Sequence, residues 1–213
     1  MGKNSRLSLA MGVITLLGVV LVGCGNGSDG TDITTILWRD DGNGFYQFST
    51  NDPNDYEFSF WDPLNVDQTP VDTFDLVVKK ESGASTVGYG VVFDYVDGDN
   101  FSRVLITLNG SYSIRRIEND VPSVVTSANF QSSNGAVDAT TGGENRIRID
   151  LDRTNDTLTL TINGTVLESG LAYVDLGGSG LGGYAAVGDA TLENFPAVPV
   201  DVRYRTVSPI AQP

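Results

Sequence analysis

The stretch NRIRIDLDRTNDTLTLTINGTVLES, Asn145 to Ser169, decides the fold. Ile147, Ile149 and Leu151 alternate with charged residues, and Leu158, Leu160 and Ile162 alternate with threonines. That period of two belongs to strands with one dry and one wet face. Asn163-Gly164 separates TLTLTI from TVLES, and a tight type I′ hairpin favours this dipeptide because both central residues need positive φ. Working outward, Asn109-Gly110 divides NFSRVLITL from SYSIRRIE and reads as a second hairpin of the same kind. Tyr89 to Tyr95, Thr73 to Lys80, Phe45 to Ser49, Tyr56 to Phe60 and Pro199 to Val207 add further strands. From Ile36 onward Gly, Asn, Asp and Thr interrupt every window that begins a helical three-and-four spacing. So many short strands overfill a flat sheet, and the chain is expected to be all-β, a two-sheet antiparallel β-sandwich or jelly roll.

The 213 residues include 13 Lys+Arg, 27 Asp+Glu, no His and one Cys, for a formal net charge of −14. Such acidity argues against nucleic acid as a partner, since binding it depends on basic patches that neutralise phosphates. Without His there is no His-based triad and no His-ligated zinc or iron site, and a lone Cys forms no intrachain disulfide.

At the start of the chain, Lys3 and Arg6 precede an apolar run from Leu7 to Val22, and small Gly23 precedes Cys24. This is the organisation of a secretory signal. A membrane span needs about 20 apolar residues, and this shorter run is interrupted by Ser8, Gly12, Thr15 and Gly18. Leu21-Val22-Gly23-Cys24 resembles the bacterial lipobox, in which the Cys thiol receives a diacylglyceryl group and the signal is cut just before it. The resemblance implies residues 1–23 as a lipoprotein signal peptide and Cys24 as a lipid anchor to the membrane. Gly25 after the Cys, rather than Asp, points to the outer membrane if the organism has one. Residues 24–35 are too polar and Gly-rich to pack and read as a flexible tether, leaving residues 36–213 as one domain.

YGVVFDYVDGDNFSRVLITLNGSYSIRRIE, NRIRIDLDRTNDTLTLTINGTVLES, GLGGYAAVG and VDVRYRTV resemble successive strands of concanavalin A-like lectin/glucanase jelly rolls, especially the laminin-G-like and 3-keto-disaccharide-hydrolase-like domains of exported bacterial proteins. The likeness runs from about Thr73 to Val207 and rests on core strands and turns, so it speaks for fold rather than activity. Glucanases of this family carry Glu-x-Asp-x-x-Glu. Here Glu118-Asn119-Asp120 is followed by Val121-Pro122-Ser123, the second Glu is missing, and Pro122 is expected to interrupt a strand.

Three groups remain as candidate sites. Asp94, Asp97 and Asp99, with Asn100, crowd a turn at Gly98 and offer oxygens to calcium; Asp40, Asp41 and Asn43 crowd another turn. Both also fit plain solvated turns, and no cofactor is required. Trp38, Tyr56 and Trp61 are the aromatic candidates for stacking a sugar, Trp61 because it precedes the loop-like Asp62-Pro63-Leu64-Asn65; Phe74, Phe93 and Tyr112 read as core. Arg146, Arg148 and Asp150 share one strand face, and Asp201, Arg203 and Arg205 share another. Such faces either hold cross-strand ion pairs or grip an anionic ligand. The functional expectation is a lipid-anchored exported protein that binds an extracellular glycan without catalysis; a glycan-processing hydrolase and a structural or protein-contact module are the alternatives. Replacing Cys24 with Ala is expected to leave an unprocessed precursor in the producing bacterium, and intact-mass measurement of the native and variant proteins checks this.

Overall fold

Alternation at period two becomes burial at period two. In the computed structural model, which describes residues 35–52, 59–61, 72–186 and 199–207, Ile147, Ile149, Leu158, Leu160 and Ile162 are all buried while Arg146, Arg148 and Asp152 are exposed. Residues 59–61 are described by their backbone alone. Among the described residues there is no helix, only strands: β1 Thr35–Asp40, β2 Tyr46–Thr50, β3 Ser59–Trp61, β4 Thr73–Ser82, β5 Tyr89–Asp97, β6 Asn100–Ile106 and β7 Ser111–Glu118. They continue as β8 Val121–Val124, β9 Gln131–Ser132, β10 Asn145–Asp152, β11 Thr157–Ile162, β12 Thr165–Ala172, β13 Gly180–Ala185 and β14 Val200–Thr206. The first sheet has the order β1-β2-β14-β4-β10-β11-β12, and the second β3-β13-β5-β6-β7-β8 with β9 also on β7. Every described pairing is antiparallel.

The sheets meet through one apolar layer. Phe74 of β4 packs edge-on to Phe93 of β5 at 5.7 Å between ring centres, and Phe93 lies 5.8 Å from Tyr173. Fully burying each such side chain contributes about 1.5–3 kcal/mol, so this layer is the main source of stability. The glycines of GLGGYA have a packing reason. A Cβ on Gly183 would lie 2.2 Å from Cδ1 of Tyr204, so only glycine lets the ring from β14 rest against β13. A second buried cluster, Val87, Val92, Phe101, Leu105, Ile117, Tyr184 and Ala186, lies on the opposite face of the second sheet.

The two Asn-Gly turns differ in backbone conformation. Asn163 and Gly164 both have positive φ, 49° and 81°, as the type I′ reading requires. At Asn109-Gly110 only the glycine does, with φ 81°. Gly110 N–H donates to the Thr107 carbonyl at 3.1 Å and Thr107 N–H to the Ser111 carbonyl at 3.0 Å, so the loop has three residues and ends in a left-handed glycine. Asn109 is held instead by its side chain, whose Oδ1 accepts from the hydroxyls of Thr107 and Ser111. Pro122 does not interrupt a strand either. It lies in β8 opposite Ile117, at the sheet edge, where a missing N–H costs no ladder bond.

A lysine is built into the dry layer. Lys80 ends the inward-facing series Phe74, Leu76, Val78 and is fully buried, its Nζ donating to the carbonyls of Ala84 at 2.8 Å and Val87 at 3.0 Å. Two acceptors suit a neutral amine as well as an ammonium, and desolvation pushes the pKa of Lys80 down to about 8. Between about pH 8 and its ordinary value of 10.5 the unfolded chain holds a proton that the folded one has released, so folding stability rises with pH across that window. The full gain is about 3 kcal/mol at roughly 1.4 kcal/mol per unit. Burial raises the phenols of Tyr89, Tyr112 and Tyr173 above their ordinary value of 10.0, so stability falls again above that pH. Denaturation midpoints measured from pH 7 to 11 are expected to pass through a maximum near pH 10, and Lys80→Met is expected to remove the rising limb.

Candidate functional site

The outer face of the first sheet neutralises itself. Arg146 donates to Asp75 through Nε at 3.0 Å and Nη2 at 2.6 Å, and Arg148 grips Asp150 in the same two-pronged way at 2.8 and 2.7 Å. Arg203 bridges Asp41 and Asp201, Arg205 reaches Glu144 at 3.1 Å, and Lys79 reaches Glu81 at 2.8 Å. The carboxylates hold the Arg146 and Arg148 guanidiniums more firmly charged than usual. Period two thus puts the expected arginines on one face, with their grips already filled. Exposed pairs of this kind each contribute a fraction of a kcal/mol.

The acidic cluster around Gly98 does not come together as a cation site. Asp94 has positive φ, 49°, and is fully buried. Its carboxylate accepts from Tyr173 OH at 2.7 Å, Leu176 N at 2.6 Å and Gly178 N at 2.7 Å, with Arg153 Nη2 at 3.9 Å. Burial pushes the Asp94 carboxyl up, against the pull of these bonds. Asp94 therefore pins residues 173–178 to β5. Asp97 Oδ1 instead accepts from Asp99 N at 2.9 Å and Asn100 Nδ2 at 2.8 Å, the bonding of an ordinary solvated turn. Asp41 does the same for Asn43 N at 2.8 Å and Phe45 N at 3.2 Å. No group of three acidic, His or Cys side chains placed to hold a metal occurs among the described residues.

Of the aromatic candidates, Trp38 and the backbone of Trp61 are among the described residues. Trp38, half-buried, packs edge-on to Tyr204 at 5.3 Å and tilted on Phe48 at 5.6 Å, so its ring rests against the inter-sheet core. The backbone of Trp61 ends strand β3 opposite Gly183, while its side chain and the Asp62-Pro63-Leu64-Asn65 stretch lie outside what is described. Tyr56 and Cys24 lie outside the described residues.

A different group gathers on the outer face of the second sheet. Arg103 of β6 and Arg115 of β7 are directly opposite in register, on the side away from the dry layer. Arg103 is buried, its guanidinium 4.5 Å from the ring centre of Tyr184 and hydrogen-bonded to the Tyr184 hydroxyl. Burial first, and then the neighbouring Arg115 charge, lower its pKa. Arg115 is half-buried, 5.7 Å from the Phe130 ring centre, and donates through Nη2 to exposed Asn129 Oδ1 at 2.6 Å. No carboxylate among the described residues pairs with Arg115, and its Nε and the nearby buried Ser113 Oγ make no hydrogen bond. Like charges directly opposite on paired strands are destabilising, so this arrangement costs stability that the first sheet's ion pairs do not. The arginine spacing is visible in the sequence, but the pairing depends on the turn. A two-residue Asn109-Gly110 loop would set Arg103 opposite Arg116, whereas the three-residue loop sets it opposite Arg115.

The chain is similar to the carbohydrate binding module CBM66 from Bacillus subtilis, with 9% identity, TM-score 0.50, and coverage of 82% of this chain and 92% of that one. It is also similar to the Bacillus licheniformis β-glucanase, with 12% identity, TM-score 0.50, and coverage of 85% and 87%. The fold is a concanavalin A-like jelly roll. No protein-family model and no curated protein sequence matches the chain. At these identities the jelly-roll likeness concerns architecture, and the residues of the site must speak for themselves.

Asp94→Asn keeps the tolerance of positive φ but turns one acceptor oxygen into a donor facing donors. It is expected to cost about 2–3 kcal/mol, while Asp97→Ala costs less than about 1 kcal/mol. Melting curves of both variants, run in millimolar calcium and in EDTA, check this; a calcium-induced rise abolished by Asp97→Ala would place the ion at the Gly98 turn.

Proposed function

We propose that this chain is an exported, lipid-anchored protein of the cell envelope that binds carbohydrate on the outer face of its second sheet without catalysing a reaction. The observation that carries the reading is half-buried Arg115 against the half-buried Phe130 ring, next to the buried Arg103 and Tyr184 pair and to buried polar atoms that lack hydrogen bonds. Aromatic faces and a few convergent polar donors are what a sugar-binding surface requires. The likeness in fold to a carbohydrate binding module supports it. Export and anchoring rest on the apolar run Leu7 to Val22 and on Cys24.

Hydrolysis is the competing reading, since the fold is also that of a glucanase. Glycoside hydrolysis uses two carboxylates flanking the bond, about 5 to 5.5 Å apart in retaining enzymes. On the described outer face of β6 and β7 the side chains are Phe101, Arg103, Leu105, Ser113, Arg115 and Ile117, which supply no carboxylate. No metal is assigned a role. Full-length protein in detergent, screened on a glycan array and then incubated with each bound glycan, is expected to bind without releasing new reducing ends. Turnover of a bound glycan would establish the hydrolase, and an empty array beside a stable protein partner would establish the contact module.

A further inference from the structure

Resting on the carbohydrate-binding reading, we infer that the ligand is an anionic polysaccharide whose carboxylate or sulfate group takes the place of the Asn129 amide on Arg115. The inference starts from a contrast within one molecule. In a chain of net charge −14, Arg116, Arg146, Arg148, Arg203 and Arg205 each have a carboxylate within 4 Å. Arg115 has a neutral amide oxygen instead, although it is half-buried and has a second guanidinium opposite it in register. An amide oxygen offers one acceptor and no compensating charge, whereas a carboxylate or sulfate neutralises the guanidinium and can accept from two of its N–H groups at once.

Asn129 is also easy to displace. It is exposed and lies on the connection between β8 and β9, beside Phe130, whose ring stands over the Arg115 guanidinium. An incoming oxyanion accepts from the Nη2 that Asn129 releases, and its sugar ring gains the face of Phe130. Its negative charge relieves the repulsion between Arg115 and Arg103. Arg146 and Arg148 on the first sheet do not compete, since they already hold carboxylates in two-pronged geometry. An acidic protein repels such polymers at long range, so capture must be local and must weaken as salt rises.

The test uses the full-length protein in detergent and isothermal titration with polygalacturonate for carboxylate, dextran sulfate for sulfate, and dextran as the neutral polymer. Asn129→Asp changes one exposed atom and supplies Arg115 with a built-in carboxylate. It is expected to weaken binding of the anionic polymers by at least about tenfold, as is Arg115→Gln. Asn129→Ala removes the competitor and is expected to tighten binding, and Arg146→Gln with Arg148→Gln is expected to leave it within about twofold. Unchanged circular dichroism and melting of Asn129→Asp keep the result free of folding effects. Which anionic polymer binds distinguishes carboxylate from sulfate. Anionic binding that Asn129→Asp leaves intact, or that the Arg146 and Arg148 double variant abolishes, overturns the inference. Binding of dextran alone overturns it while leaving the carbohydrate-binding reading in place. Binding of none of the three overturns it, and the glycan array then decides the broader reading independently.

Discussion

Everything in this molecule hangs on the dry layer between the two sheets, where side chains from one sheet must interdigitate with those from the other at close-packed density. Phe74 against Phe93 fixes the centre, and Tyr204 against Gly183 fixes how closely β14 of one sheet approaches β13 of the other. Because side chains alternate, filling this layer leaves every second residue to the outer faces. The chemistry of the protein is therefore written in the residues that the layer rejects.

The two outer faces use that freedom in opposite ways. On the first sheet, acid and base pair along and across strands, as in Arg146 with Asp75 and Arg148 with Asp150. On the second, a buried apolar and aromatic cluster surrounds Arg103 and Arg115, which oppose each other. A neutralised surface has little to offer a ligand beyond solubility. The guanidiniums set among aromatic rings on the second sheet are where the proposed carbohydrate site lies.

Polar groups inside the layer and at its rim act as fasteners. Asp94 collects three donors and ties residues 173–178 to β5; Asn145 accepts from Asp138 N at 2.7 Å and donates to the Asp138 carbonyl at 3.0 Å, holding the chain that leads into β10. Lys80 closes the end of β4 by bonding to two carbonyls in the segment that leads to β5. These bonds satisfy the buried polar atoms of Asp94, Asn145 and Lys80 themselves, which explains how Asp and Lys are accommodated where apolar residues dominate.

The sequence by itself determined the strands, their dry faces, the type I′ turn at Asn163-Gly164 and the sandwich, because alternation and turn chemistry are local and survive without knowledge of partners. It also placed Arg146 and Arg148 on one face. Tertiary structure alone decided that Asp94 turns inward to Tyr173 instead of joining Asp97, and that Trp38 packs against the core, since both depend on residues far along the chain. Most consequentially, it decided that Arg103 faces Arg115. One residue more in the Asn109-Gly110 loop shifts the register of β7 by one, and a shift of one exchanges the faces of a strand. The dipeptide fits either loop, and the choice falls to whichever register buries Tyr112 and Ile114 in the layer between the sheets.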